Sequence, residues 1–191
     1  MKNNLLIDDN LNLKSYEKEI INIFKKNLFT KGPNNKIFRN KIKKKFNIKN
    51  SVLTSSATTA LSLSLEILKI KKGDEVAVSD FSWISSAHVI ENIGAKPVFI
   101  DVEPTTFNLD PNKVEEAIGP KSKAIIFIDY GGTPADIAGL KAVAQKHNLL
   151  LLQDAAQSLG GIYHNKLLGG QTPIYTMSFH MAKVMTTVEG G

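Results

Sequence analysis

The stretch Leu149-Leu150-Leu151-Leu152-Gln153-Asp154-Ala155-Ala156-Gln157-Ser158 decides the fold class of this chain. It begins with four consecutive leucines and turns polar only at its end. A short apolar run without alternation is typical of a strand buried on both faces, as in a parallel sheet covered by helices. We therefore expect a central strand over residues 149–153, with Asp154 at or just past its C-terminal end.

Strands and helices alternate on both sides of this stretch. That alternation predicts an α/β fold, a mostly parallel sheet flanked by helices with right-handed crossovers. Ligands of such sheets bind at the carboxyl ends of the strands. The predicted strands are 51–54, 75–78, 96–101, 123–128, 149–153 and 174–177, and the predicted helices are 15–28, a basic helix ending near 46, 61–68, 83–93, one starting at 110, and 136–147.

Length and composition limit the possible classes of protein. A chain of 191 residues fits one domain or slightly more. It has no cysteine, so no disulfide framework or thiolate metal site is expected, and no metal site is predicted. No apolar run reaches the roughly 18 residues of a membrane span, and the apolar start is too short for a signal peptide. We expect a cytoplasmic protein.

The net charge of +6 comes from one segment. Residues 25–50 hold ten of the 24 Lys and Arg residues and no acidic residue, and the remainder has 14 basic and 18 acidic residues. Within this segment Phe38, Ile42 and Phe46 recur every four residues, as on the buried side of an amphipathic helix. The lysines are most simply a solvated face. Attraction of an anionic substrate is an alternative, and nucleic-acid binding is not predicted because no recognised module accompanies the charge.

Small and hydroxyl side chains fill residues 55–60, where a strand is predicted to meet a helix. Free N–H groups at a helix start can bind an anion such as phosphate, although Ser and Thr also serve simply as helix caps. Trp83, the single tryptophan, lies just past another strand end. It offers a flat face for a planar ligand or, alternatively, packs in the core.

Further candidate residues follow later strands at the same predicted edge. Asp154 ends a buried strand, where a carboxylate either caps a helix or pairs with a buried protonated heterocycle; Gln157 could add a hydrogen bond to such a ring. Ser178 could reach a phosphate. Lys183 is either a solvated surface lysine or, if burial keeps it uncharged, an amine that forms a Schiff base with a carbonyl. Asp129 ends the strand before Asp154.

Together these residues suit pyridoxal 5'-phosphate. That cofactor needs a phosphate site, an aromatic face, a carboxylate for its pyridine nitrogen and a lysine for its aldehyde. Once released by an incoming amine, Lys183 would be the natural general base for the proton transfer of a transaminase.

The chain also resembles the DegT/StrS-type sugar aminotransferases, which are aspartate-aminotransferase-like enzymes of fold type I that use pyridoxal phosphate. The resemblance covers nearly the whole chain and rests on the order and spacing of many segments. They are residues 32–33, 54–61, 73–76, 94–99, 132–136, 154–158, 178–180, Lys183 and 189–191.

The resemblance implies a role for each matching position. Lys183 would be the catalytic residue that binds the aldehyde, and Asp154 would pair with the pyridine nitrogen. Gln157 would lie near the ring hydroxyl and Trp83 would stack on the ring. Ala57, Thr58 and Ser178 would hold the phosphate.

The implied reaction moves an amino group, usually from glutamate, to a nucleotide-linked keto-sugar. It would serve surface polysaccharide or antibiotic sugar synthesis, in a homodimer with its sites at the interface. The chain departs from the family pattern at Ala57 and Val188, where glycine is frequent.

The resemblance also predicts how the chain is organised. Family members continue for roughly as long again, so we expect the N-terminal part of an enzyme whose small C-terminal domain is absent. Residues 1–50 would be an N-terminal helical segment, and residues 51–191 a cofactor-binding large domain, truncated at its C-terminal end. Three alternatives to an aminotransferase remain: an inactive remnant, a regulatory binding module of the same fold, and a related dehydratase. In such dehydratases a histidine replaces the lysine; Lys183 argues against this, although His180 is near.

Overall fold

The computed structural model describes residues 16–26 and 32–191, which fall into two compact units, Met1–Leu53 and Thr54–Gly191. In the first unit, helix α1 spans Glu17–Lys25 and helix α2 spans Pro33–Phe46. The ends of the helix predicted over 15–28, like the N-terminal stretch, lie outside the described residues. In α2, Ile42 and Phe46 are buried and Phe38 is half-buried, which confirms the predicted apolar stripe.

The second unit is the predicted α/β domain. Its five-stranded sheet has the order β2-β1-β3-β4-β7, and every pair of neighbours is parallel. The strands are β1 Glu75–Ser79, β2 Lys96–Ile100, β3 Ser122–Ile128, β4 Leu150–Asp154 and β7 Ile174–Thr176, with a separate hairpin of β5 Ile162–Tyr163 and β6 Lys166–Leu167. The helices are α3 Ala57–Ile67, α4 Ser85–Asn92, α5 Pro111–Ala117 and α6 Ile137–Lys146.

The sheet is buried on both faces because its central strands are apolar at consecutive positions. In β3, Ile125 and Phe127 pack into one core cluster while Ala124 and Ile126 pack into the other. The first cluster includes residues of α5 and α6, and the second includes residues of α3 and α4. Helices on both faces are what the run of leucines predicted.

Side-chain caps fix where three helices begin. The Ser56 Oγ accepts a hydrogen bond from the Thr59 N–H (3.1 Å) at the start of α3. The Asp110 carboxylate does the same for the Asn112 N–H (2.9 Å) at α5, and the Asp136 carboxylate for the Gly139 N–H (3.0 Å) at α6. Each cap satisfies one of the N–H groups that the first helical turn leaves without a partner.

One local prediction failed, and one local element was missed. The strand predicted over 51–54 is wrong, because Thr54 exchanges a pair of backbone hydrogen bonds only with Gly191 (2.9 and 3.0 Å) and no ladder extends from it. The β5–β6 hairpin was not predicted. Its strands are two residues long, too short for alternation to be recognised.

Two kinds of feature are absent from the described residues 16–26 and 32–191. No helix among them is long and apolar enough to cross a membrane. No group of three or more His, Asp or Glu side chains among them could hold a metal ion.

Candidate active site

A cavity of about 400 Å³ opens at the carboxyl edge of the sheet in the second unit. The sheet edge brings together groups that lie far apart in sequence, because parallel strands all end on the same side. All seven residues to which the resemblance assigns a role line this cavity, namely Ala57, Thr58, Trp83, Asp154, Gln157, Ser178 and Lys183, whereas Asp129 does not.

The start of α3 forms one corner of the cavity. Ser56 caps the helix through Thr59, so the capping alternative is correct for that serine. The N–H groups of Ala57 and Thr58 contact no hydrogen-bond acceptor among the described residues. Because these groups carry the positive end of the helix dipole, this corner is suited to an anion.

Asp154 forms the floor of the cavity at the end of β4 and is 2 % exposed. Its carboxylate accepts hydrogen bonds from the Ala156 N–H (3.1 Å) and the Ser86 hydroxyl (3.2 Å). Burial raises the pKa of this carboxyl, while those two hydrogen bonds and the Lys183 charge act in the opposite direction. A cation placed in the cavity would stabilise the ionised form.

Gln157 lies beside Asp154 and its amide orientation is fixed. The Gln157 Oε1 accepts a hydrogen bond from the Gly131 N–H (2.7 Å). The Nε2 amide is therefore the end that remains to donate to a ligand.

Trp83 is not a core residue. Its side chain is 69 % exposed, and it lines the cavity in the loop between β1 and α4. The core-packing alternative is therefore wrong, and the exposed ring is available to a planar ligand.

The segment from Ser178 to Gly191 forms a loop that brings Lys183 to the cavity. The Phe179 N–H donates to the Gly190 carbonyl (2.9 Å), and the Thr187 N–H donates to the Phe179 carbonyl (2.9 Å). Ser178 is buried at the base of this loop, and Lys183 is half-buried. The two ends of the loop are thus held together while its tip presents the lysine.

Gly191 anchors the loop to the start of α3. A Cβ atom on Gly191 would lie 2.4 to 2.6 Å from backbone atoms of Ser56 and Ala57, so only glycine fits. Val188, by contrast, has a φ of 72°, a left-handed conformation that β-branched residues rarely adopt. A glycine at this position would adopt that backbone conformation without strain.

Some residues at or beside the cavity had no role predicted for them. His180 and Glu189 lie on the two arms of the lysine loop, with the His180 Nε2 3.5 Å from the Glu189 Oε1. Ser86 contacts Asp154 from α4, and no sequence signal links these two residues. A pairing across distant segments is visible only once the fold is known.

The groups that line the cavity define the kind of ligand that it can bind. It combines an anion corner, a buried carboxylate, an exposed aromatic ring and an amine. A planar, cationic ring that carries both a phosphate and a carbonyl group would find a partner for each of its parts.

Comparisons with known proteins agree with this chemistry. Residues 12–191 match the model of the DegT/DnrJ/EryC1/StrS aminotransferase family. Among solved structures, an aminotransferase from Psychrobacter cryohalolentis is similar at 32% identity and a TM-score of 0.90, over 93% of this chain and 46% of that one. The PLP form of Spr1654, a sugar aminotransferase of Streptococcus pneumoniae, is similar at 30% identity and a TM-score of 0.89, over 93% and 49%.

PseC of Helicobacter pylori, an aminotransferase involved in the biosynthesis of pseudoaminic acid, matches at 27% identity and a TM-score of 0.86, over 91% of this chain and 47% of PseC. The chain therefore spans about half the length of these solved relatives.

Proposed function

Because this chain belongs to the DegT/DnrJ/EryC1/StrS aminotransferase family, we propose that it forms the cofactor-binding part of a pyridoxal-phosphate-dependent aminotransferase. The observation that carries the proposal is the convergence of Lys183, Asp154 and the start of α3 on one cavity. When bound, pyridoxal phosphate supplies an aldehyde that captures amines and a protonated ring that accepts electrons.

The start of α3 and Ser178 would hold the phosphate. The N–H groups of Ala57 and Thr58 have no acceptor among the described residues, and the Ser178 hydroxyl lies in the same cavity. Ala57 carries only a methyl group, which leaves its own N–H accessible. Anion binding by N–H groups at a helix start needs no charged side chain.

Asp154, Gln157 and Trp83 would hold the ring. The Asp154 carboxylate, which is buried, would accept a charge-assisted hydrogen bond from the protonated pyridine nitrogen. The Gln157 Nε2 would donate to the ring hydroxyl, since its Oε1 is occupied by Gly131. Trp83 would cover one face of the ring.

Lys183 would be the catalytic residue. Its Nζ atom would bind the aldehyde carbon until an amino donor displaces it. As a free amine, the Lys183 Nζ would take up the proton released from the carbon that bears the donor's amino group, and as an ammonium it would deliver that proton to the former aldehyde carbon. The hydrogen bonds that close the lysine loop would keep Nζ within reach of that carbon.

The finer assignment concerns the substrates and the assembly. We propose glutamate as the amino donor and a nucleotide-linked keto-sugar as the acceptor, in polysaccharide or antibiotic sugar synthesis. Two solved relatives support a sugar as the acceptor, one named as a sugar aminotransferase and the other as an aminotransferase of pseudoaminic acid biosynthesis. A cytoplasmic homodimer completes the proposal.

Cofactor binding tests the proposal through visible absorption. Purified protein mixed with pyridoxal phosphate should develop the absorption band of a lysine-bound cofactor, and Lys183→Ala should lose it. Lys166→Ala is the matched control, because Lys166 is an exposed lysine on β6. A well-folded wild-type protein without the band would favour the remnant or binding-module alternative.

Substrate turnover separates the two enzymatic alternatives. Glutamate should remove the absorption band of the lysine-bound cofactor and yield 2-oxoglutarate, whereas alanine should leave the band unchanged. An enzyme that holds the cofactor, ignores glutamate and eliminates water from a keto-sugar would instead be a dehydratase. Amino-group transfer from labelled glutamate to a nucleotide-linked keto-sugar completes the test.

A further inference from the structure

Asp129 is a buried carboxylate that lies outside the cavity lining. It follows β3 and is 0 % exposed. No Lys, Arg or His among the described residues forms an ion pair with it. A buried anion without a cation is costly, so its environment must compensate for the lost water.

Three donors provide that compensation. The Asp129 Oδ2 accepts hydrogen bonds from the Gln153 Nε2 and the Ser158 hydroxyl, both at 2.7 Å, and the Oδ1 accepts one from the Ala135 N–H at 3.1 Å. All three neighbours donate, so the arrangement is matched to the ionised carboxylate.

The same contacts connect Asp129 to the cavity. Ile128 is the register partner of Asp154, and the Asp129 N–H donates to the Asp154 carbonyl (3.4 Å). Gln153 precedes Asp154 in β4, and Ser158 follows Gln157 in the next turn. One carboxylate thus ties both sides of the segment that carries the two groups proposed to hold the ring.

We propose that Asp129 is a positioning residue for the cofactor: it fixes the segment 153–158, and its negative charge strengthens the hold of Asp154 on a protonated ring nitrogen. This inference rests on the proposed function and extends it to a residue that the cofactor would not touch.

The proposed electrostatic effect arises because the carboxylates of Asp129 and Asp154 are both buried, at 0 % and 2 % exposure. The charged groups that act on Asp154 are Lys183 and Asp129; burial is the main cause that raises the pKa of Asp154, and Asp129 adds a smaller effect in the same direction. A second negative charge beside Asp154 disfavours an empty, ionised carboxylate there. For the same reason it favours a cation bound against that carboxylate.

The test compares two ligands that differ only at the ring nitrogen. Pyridoxamine 5'-phosphate and its 1-deaza analogue, in which carbon replaces that nitrogen, both bind without attachment to Lys183. Affinities for the full chain can be measured by quenching of Trp83, the only tryptophan. Wild type should prefer the nitrogen-containing ligand, and Asp129→Asn should reduce that preference by about ten-fold, the effect of one pKa unit.

Asp136→Asn serves as a matched control, and Ser158→Ala tests the positioning of residues 153–158 separately from the Asp129 charge. Asp136→Asn changes an acid in the same loop segment that caps α6 and makes no contact with Asp129 among the described hydrogen bonds, so it should leave the preference unchanged. Ser158→Ala keeps the Asp129 charge but frees the turn, and it should weaken both ligands by the same factor. This second variant decides the matter if Asp129→Asn does not fold.

A carboxyl titration by ¹³C NMR adds a readout that does not depend on any ligand. In the cofactor-free protein, Asp129→Asn should move the Asp154 titration to lower pH. The proposal is overturned if folded Asp129→Asn keeps both the ligand preference and the Asp154 titration, or if Ser158→Ala binds both ligands as wild type does. Failure of wild type to bind pyridoxamine phosphate would instead overturn the proposed function.

Discussion

Val188 gives a quantitative test of the lysine loop, because its backbone conformation suits glycine and not valine. Its φ of 72° lies in the left-handed region, which costs an L-residue about 1–2 kcal/mol. Glycine removes that cost but adds about 0.5–1 kcal/mol through the flexibility of the unfolded chain. The valine side chain is 63 % exposed, so little buried apolar area is lost.

The net prediction is that Val188→Gly stabilises the protein. The difference amounts to about 0.5–1 kcal/mol, or roughly 1–4 °C in Tm for a protein of this size. The hydrogen bond from the residue 188 N–H to the Thr186 hydroxyl (2.8 Å) uses only the backbone of residue 188, so glycine retains it. Thermal unfolding followed by circular dichroism measures the shift.

Val184→Gly is the matched control for this measurement. Val184 lies in the same loop and is 83 % exposed, but it does not have a positive φ. Glycine there should lower stability by about 0.5–1 kcal/mol, because only the flexibility term applies. If both variants lose stability equally, the argument that Val188 is strained is refuted.

Three further predictions concern Asp154 in the cavity, Gly191 at the end of the loop that carries Lys183, and Phe127 in the core. Asp154→Asn should weaken cofactor binding by about 10- to 100-fold, the loss of a charge-assisted hydrogen bond, in a direct binding titration. Without cofactor the same variant should be the more stable protein at neutral pH: the raised pKa of Asp154 means that its favourable contribution is complete only in acid and is lost as pH rises through the folded-state pKa. Chemical denaturation at several pH values should show the free energies of unfolding of wild type and Asp154→Asn moving apart as the pH increases. Gly191→Ala should destabilise by about 1–3 kcal/mol through its clash with Ser56 and Ala57, whereas Gly119→Ala, with 3.8 Å to its nearest neighbour, should be nearly neutral. Phe127→Ala should cost about 3–5 kcal/mol in denaturant melts because Phe127 is fully buried, while the exposed Phe99→Ala should cost less than about 1 kcal/mol.

The sheet was predictable because its signals are local. The short run of leucines before Asp154 indicated a doubly buried strand, and Leu151 and Leu152 are indeed buried, while Asp110-Pro111 marks a helix start from its own residue types. Parallel strands end on one side, so Asp154 and Lys183 could be assigned to the same edge before any contact was known.

The features that were not predicted depend on tertiary contacts or on backbone angles. The β5–β6 hairpin turns at His164 and Asn165, which both have positive φ, and only the asparagine is a usual residue for such a turn. The hydrogen bond from Ser86 to Asp154 and the contact of Ser158 with Asp129 join separate elements. No spacing rule relates residues that meet only in the folded chain.

The most direct test of the central claim is to locate the lysine that binds the cofactor. Protein loaded with pyridoxal phosphate is reduced with borohydride, digested, and analysed by mass spectrometry for the peptide that carries the pyridoxyl group. We expect a single modified site at Lys183, with the label lost in Lys183→Ala. A label on a different lysine, or one spread over the exposed lysines of α2, would contradict it.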